Sequence, residues 1–131
     1  MPAGRRGEPA TNRTMICTDA SVLLLEDDAL IALDAEDMLR SLGAREVLVA
    51  YTLDAAARFL DTATVDAAML DLLIGSARSD DVAARLAERC IPFILTSGYG
   101  EPDLPPELGP VPVVGKPYTT DALRSAFAAL G

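Results

Sequence analysis

A chain of 131 residues, half of them hydrophobic and none of them tryptophan, is long enough for one domain with its own core and too short for two. Twenty acidic residues against eleven basic ones leave a net charge of −9, with no basic stripe to neutralise phosphates, which argues against a nucleic-acid or anionic-membrane partner. Histidine is absent, so Ser-His-Asp triads, His-ligated zinc and histidine general bases are excluded.

The chain opens with MPAGRRGEPATNRTMICTDA, which carries Arg5, Arg6 and Arg13 but neither an apolar run nor any periodicity. Residues 1–20 read as a disordered extension rather than a secretory signal, with Met15 as a second candidate start, and 21–131 as the folded domain. Cys17 and Cys90 stand in no metal-ligand spacing and read as inert, reduced thiols of a cytoplasmic protein. No apolar run reaches membrane-spanning length.

Past residue 20, short apolar runs alternate with amphipathic stretches. Val22–Leu25 is continuous and apolar, the mark of a strand buried on both faces. It is followed by Glu26, Asp27 and Asp28, the last placed to cap a helix over 29–42 with Ile31, Ala35, Met38 and Leu42 inward and Gly43 as its stop. A second strand over 46–50 precedes a helix capped by Thr52, with Ala56, Phe59 and Leu60 facing the core. A third strand over 65–70 ends at Asp71. The loop LLIGSARS (72–79) follows, with Gly75 as its flexible point and Ser79 as the cap of a helix running to about Cys90. PFILT (92–96) and VPVVG (111–115) are strands four and five, and Thr119 or Thr120 caps a last helix carrying Leu123, Phe127 and Leu130. Pro102, Pro105, Pro106 and Pro110 forbid a long helix between strands four and five, leaving a loop with one short turn at most. Strand–helix alternation with buried strands predicts a parallel sheet covered by helices on both faces.

In such a sheet, ligands bind beyond the carboxyl ends of the strands. Those ends deliver Glu26-Asp27-Asp28, Asp71, Thr96-Ser97-Gly98 and Lys116-Pro117. Clustered acids repel unless a hard cation sits among them, and Mg²⁺ takes oxygen ligands from two or three carboxylates while keeping waters. Carboxylates, Mg²⁺, a lysine and a hydroxyl are the parts needed to transfer a phosphoryl group onto an aspartate.

The ordered set VLLLEDD, AAMLD, ILTSGYG and VVGKPY resembles the receiver domain of bacterial two-component response regulators, over about residues 21–131. The resemblance implies a flavodoxin-like doubly wound sheet of five parallel strands in the order 2-1-3-4-5, the fourth helix here being short or missing. It implies Asp71 as phosphoacceptor, with Mg²⁺ held by Asp27, by Asp71, by Glu26 through water and by the backbone carbonyl of Leu73. Ser97 would bond the phosphoryl group, with Thr96 structural, and Lys116 would pair with it beside a cis Lys116–Pro117 bond. The chain departs from the common pattern at Val113, where many receivers carry an aromatic, and in the loop after Asp71, which lacks the usual Met-Pro. PFILTSGYG is similar to the Phe-x-x-Thr-Gly-Tyr motif of an alphaproteobacterial subgroup of single-domain receivers, with Tyr99 as the motif aromatic.

The function so implied is a stand-alone phosphoreceiver that is not an enzyme on free substrates. It would accept a phosphoryl group from a histidine kinase and either bind a downstream protein or serve as a phosphate sink. Two other classes stand beside it: a Mg²⁺-dependent phosphohydrolase, against which Leu73 counts because such enzymes carry a second acid there, and a receiver-shaped scaffold that is never phosphorylated.

Overall fold

The structure, a computed structural model, describes residues 16–98 and 104–130. Five strands form its main sheet and are the only ones numbered here: β1 (Ser21–Leu25), β2 (Glu46–Ala50), β3 (Ala67–Asp71), β4 (Phe93–Ser97) and β5 (Val113–Gly115). They run parallel in the spatial order β2-β1-β3-β4-β5, the order the resemblance implied. The helices are α1 (Ala29–Ser41), α2 (Leu53–Thr62), α3 (Asp80–Glu88) and α4 (Thr120–Ala128).

Strand alternation divides the core in two. Val22, Leu24, Ala67, Met69 and Ile94 face α1 and α4, where Ala35, Leu39, Leu123 and Phe127 are fully buried. Leu23, Leu25, Ala68, Leu70 and Leu95 face α2 and α3, where Ala56, Leu60, Val82 and Leu86 close the other layer. All residues of β1, β3 and β4 are buried, as their unbroken apolar runs require.

Asp28 caps α1 as expected, its Oδ1 accepting from the N–H of Leu30 at 2.9 Å and of Ile31 at 3.2 Å. Thr52 and Thr119 cap α2 and α4, which resolves the choice between Thr119 and Thr120. Of the expected inner face of α1, Ala35 is buried, as is Leu42 just past the helix end, while Ala32 and Leu39 are buried in place of Ile31 and Met38, which are half-buried beside them. Leu30 and Leu33 are left exposed.

The packed body takes in Ile16–Ala20, which precede Ser21 and belong to the expected extension. Cys17 is fully buried, its Sγ donating to the Leu42 carbonyl at 3.6 Å, and the Asp19 N–H donates to the Gly43 carbonyl at 2.7 Å. Gly43 adopts φ 105°, and a Cβ there would stand 3.2 Å from Thr18 Cα, so this turn takes only glycine easily. Ile16 and Cys17 cover the end of the core where α1 turns into β2, a tertiary fit that no sequence periodicity announces. Residues 1–15 of the expected extension lie outside the described residues.

Among the described residues between β4 and β5, a 3₁₀ turn at Pro106–Leu108 stands in place of a longer helix, in keeping with the proline argument. Leu104, Leu108 and Val111 of this segment pack onto the α2/α3 side of the core. The segment 72–79 is not a plain loop: Leu73–Ile74 pairs antiparallel with Ala77–Arg78 in a small hairpin. The Lys116–Pro117 peptide is cis.

The two cysteines are therefore chemically unequal. Burial pushes the Cys17 thiol above its ordinary pKa, with its backbone hydrogen bond acting weakly the other way, whereas Cys90 is exposed at the end of α3. A thiol reagent at neutral pH is expected to label Cys90 alone, Cys17 reacting only at the rate of unfolding; rapid double labelling, read by mass spectrometry, would show the 16–20 segment to be undocked.

Candidate functional site

The last rungs of the sheet place the site. Beyond Leu25 the Glu26 N–H donates to the Ala50 carbonyl at 3.0 Å, beyond Asp71 the Leu72 N–H donates to the Thr96 carbonyl at 2.9 Å, and beyond Gly115 the Lys116 N–H donates to the Ser97 carbonyl at 3.0 Å. Three strand ends far apart in sequence are thereby held in register at one edge. Because side chains alternate across a strand, the acid run divides: Glu26 turns in and is 1% exposed, Asp27 is exposed at the rim, and Asp28 turns to the helix.

Lys116 joins the strand ends. Its Nζ donates to Asp71 Oδ2 at 2.7 Å and to Glu26 Oε1 at 3.0 Å. Glu26 Oε2 accepts from the Asp28 N–H at 3.1 Å, and Asp71 Oδ1 accepts a long bond of 3.4 Å from the Leu73 N–H. Across the cleft, Asp27 Oδ2 accepts from the Gly75 N–H at 2.8 Å. Asp27, Asp71, Leu73, Gly75, Ser97 and Lys116 line a cleft of about 360 Å³, under which Glu26 is buried. Thr96 is 1% exposed inside β4 and stays out of this lining, so Ser97 is the hydroxyl at the site.

Burial pushes the Glu26 carboxyl above its ordinary value, and the nearby Asp71 charge adds to this; the Asp28 N–H and Lys116 work against it without cancelling it. For Lys116, burial acts to lower the pKa, but the hydrogen bonds from its ammonium to Asp71 and Glu26 outweigh that and raise it. The ammonium thus stays charged between two acids. The phenol of Tyr118 is also pushed up, by burial first and then by the charges of Glu26, Asp71 and Asp34. Its hydroxyl is the one buried side-chain polar atom without a hydrogen-bond partner among the described residues.

The donor set fits a hard divalent cation. Glu26, Asp27 and Asp71 each bring a carboxylate oxygen within 4.8 Å of the others. Metal–oxygen bonds of about 2.1 Å place octahedral ligands at most about 4.2 Å apart, so small side-chain movements suffice to close on Mg²⁺. All six residues expected at the site, Glu26, Asp27, Asp71, Leu73, Ser97 and Lys116, meet at this edge. Tyr99 lies outside the described residues.

Two contributors escape a sequence reading. Ser79 precedes Asp80 and Asp81 and reads as a helix cap, but it makes no cap bond; its Oγ donates instead to the Asp71 carbonyl at 2.8 Å. Gly75 reads as a flexible point, but its φ of 63° aims its N–H at Asp27. Neither has a sequence signature, since each role depends on the hairpin between them.

A five-stranded parallel sheet in this order, with three acids and a bridging lysine at its carboxyl edge, defines a receiver domain. Solved structures agree. SdrG from Sphingomonas melonis Fr1 is 35% identical over 85% of this chain and 95% of its own, with a TM-score of 0.74. The BeF₃-activated conformation of SdrG from Pseudomonas melonis Fr1 is 32% identical over 86% and 97%, with a TM-score of 0.71. A CheY-like response regulator receiver domain from Methylobacillus flagellatus, at 19% identity over 86% and 98% with a TM-score of 0.72, shares the fold. The chain belongs to the CheY-like response regulator receiver domains. No protein-family model matches the sequence, and no curated protein matches it. The finer subgroup assignment rests on PFILTSGYG alone.

Removing the bridging charge tests the electrostatics. Lys116→Met leaves Glu26 and Asp71 facing each other without a counter-charge and is expected to destabilise the cation-free protein by ~2 kcal/mol in urea denaturation. That is less than for a fully buried pair, because the Lys116 side chain is 20% exposed. The same variant is expected to bind Mg²⁺ more tightly by calorimetry, since no ammonium competes for the Asp71 and Glu26 oxygens. Unchanged stability and unchanged Mg²⁺ affinity would together contradict this account.

Proposed function

We propose that this receiver accepts a phosphoryl group on Asp71 from the phosphohistidine of a histidine kinase, with Mg²⁺ bound. The observation that carries the reading is Lys116, whose ammonium lies 2.7 Å from Asp71 Oδ2 in a cleft rimmed by Asp27 and Ser97. In the transfer, an Asp71 carboxylate oxygen attacks phosphorus in line, a P–O bond forms and the P–N bond breaks. The histidine ring leaves with that electron pair and is protonated, and Asp71 becomes an acyl phosphate. Lys116 exchanges its bond to Asp71 for one to a phosphoryl oxygen, and the Ser97 hydroxyl, at the end of β4, bonds another. Glu26, Asp27, Asp71 and the Leu73 carbonyl would hold Mg²⁺, which when bound neutralises charge on the phosphoryl oxygens. One similar structure is described as a BeF₃-activated conformation, a likeness that supports an activated state for this chain too.

Phosphorylation would draw Ser97 and the start of the 98–110 crossover toward the new charge. It would thereby alter the surface formed by the crossover, β5 and α4. Output is then binding of a downstream protein, or draining of phosphoryl groups from a shared kinase, in the cytoplasm. Among the described residues no helix is long and apolar enough to cross a membrane. The protein is not an enzyme on free phosphate esters in this reading, because position 73, where a hydrolase places its general acid, is leucine.

Incubation with acetyl phosphate and Mg²⁺ should add one acid-stable, base-labile phosphoryl group, detectable by intact-mass measurement and lost in Asp71→Asn or with excess chelator. No incorporation from acetyl phosphate or from any phosphorylated histidine kinase would instead favour a silent scaffold. Rapid turnover of small phosphate esters would favour a hydrolase.

A further inference from the structure

The segment 72–79 touches both acids that face the cleft, at opposite ends of one short hairpin. At its base, Ser79 is 1% exposed, and its Oγ donates to the Asp71 carbonyl at 2.8 Å, with the Leu72 carbonyl 3.3 Å away. The Ser79 N–H also donates to the Leu72 carbonyl, at 2.9 Å, so the base is closed by backbone and side chain together. At its tip, Gly75 turns the chain in the left-handed region, and its N–H holds Asp27 Oδ2 at 2.8 Å. Between them the antiparallel pair Leu73–Arg78 and Ile74–Ala77 sets the reach of the hairpin, and Arg78 is fastened to Asp80 by two bonds of 2.8 and 3.1 Å.

A serine before two acids at a helix start would ordinarily bond the helix amides. Ser79 sits at φ −90°, ψ 20°, outside the extended conformation that such a cap uses, and its hydroxyl is turned to the end of β3. The consequence is mechanical. Asp71 is fixed through its own carbonyl, and the exposed Asp27 carboxylate is fixed through an amide only four residues further along the chain. A carboxylate has two oxygens, and the Gly75 bond orients Asp27 through one of them. Hydrogen bonds of this kind set the direction of metal-ligating groups, and their loss weakens metal binding without removing a ligand.

We propose that the 72–79 hairpin is a clamp that holds Asp71 and Asp27 at the spacing a divalent cation requires, with Ser79 as its positioning residue. The proposal rests on the phosphoreceiver reading for its purpose, but the clamp itself is a property of the cation-free protein.

The test compares Ser79→Ala with Ser79→Thr, which retains the hydroxyl. In the cation-free protein, Ser79→Ala is expected to shift the Gly75 amide resonance and speed its exchange with solvent, leaving the amides of β1 and α1 as they are. Its Mg²⁺ dissociation constant is expected to rise about tenfold, and phosphorylation by acetyl phosphate to slow at limiting Mg²⁺ and recover at saturating Mg²⁺. Ser79→Thr should restore all three. An unchanged Gly75 amide with an unchanged Mg²⁺ constant in Ser79→Ala overturns the clamp, and so does a lowered melting temperature with unchanged Mg²⁺ binding, which assigns Ser79 to stability alone. Should Ser79→Ala not fold, the wild-type protein decides. Mg²⁺ must then slow Gly75 amide exchange more than that of the α3 amides, and equal effects overturn the proposal. A wild type that takes neither Mg²⁺ nor a phosphoryl group sinks the phosphoreceiver reading, and the Gly75 amide in cation-free Ser79→Ala still judges the clamp.

Discussion

The ammonium of Lys116, held between Glu26 and Asp71, is the contact on which the site depends. A glutamate 1% exposed at the end of a buried strand is costly in isolation, and an aspartate 6% exposed beside it makes the cost larger. One cation bonded to both turns mutual repulsion into a three-body attraction in a region where water screens weakly. The arrangement is nonetheless unsettled by design. A lysine supplies one charge where the three acids of the cluster can present three, an excess that a further cation in the cleft would offset.

Parallel strands make the contact available. Glu26 and Lys116 follow, and Asp71 ends, a strand whose final backbone bond is made to its neighbour, so the sheet's register becomes the site's register. The core on both faces keeps that register from slipping, because moving β1 by one residue would exchange Leu23 and Leu25 with Val22 and Leu24 between two already filled layers. Function sits on the loops that leave this rigid edge, as is usual where chemistry needs both precision and movement. The 72–79 segment is paired as a hairpin, and among the described residues of the proline-rich crossover the regular structure is a 3₁₀ turn over Pro106–Leu108.

Much of this was legible in the residues. Unbroken apolar runs gave β1, β3 and β4, and the prolines at 105, 106 and 110 correctly forbade a helix. The short-range capping chemistry of Asp28, Thr52 and Thr119 read true because a cap needs only its next three neighbours. Ser79 fits the same local rule and broke it. Its alternative partner, the Asp71 carbonyl, lies eight residues back and is reached only because a hairpin folds the chain onto itself. The inward face of α1 differed from expectation at two positions, Ala32 and Leu39 being buried in place of Ile31 and Met38, because periodicity gives a stripe and the packing partners decide which edge of it is covered.

The sequence by itself determined which residue types stand at strand ends, and hence that acids, a hydroxyl and a lysine share one edge of a parallel sheet. Those facts depend on local patterning and on the fixed geometry of strand–helix alternation. Only the tertiary structure decided that Lys116 bonds both Glu26 and Asp71, that Gly75 holds Asp27, and that Ile16 and Cys17 belong to the folded body. These contacts join residues 25 to 90 positions apart, and no local propensity encodes which of many polar or apolar partners a folded chain will bring into contact. Packing makes that choice, by burying Glu26 where a counter-charge is required and by leaving Lys116 the nearest cation able to supply it.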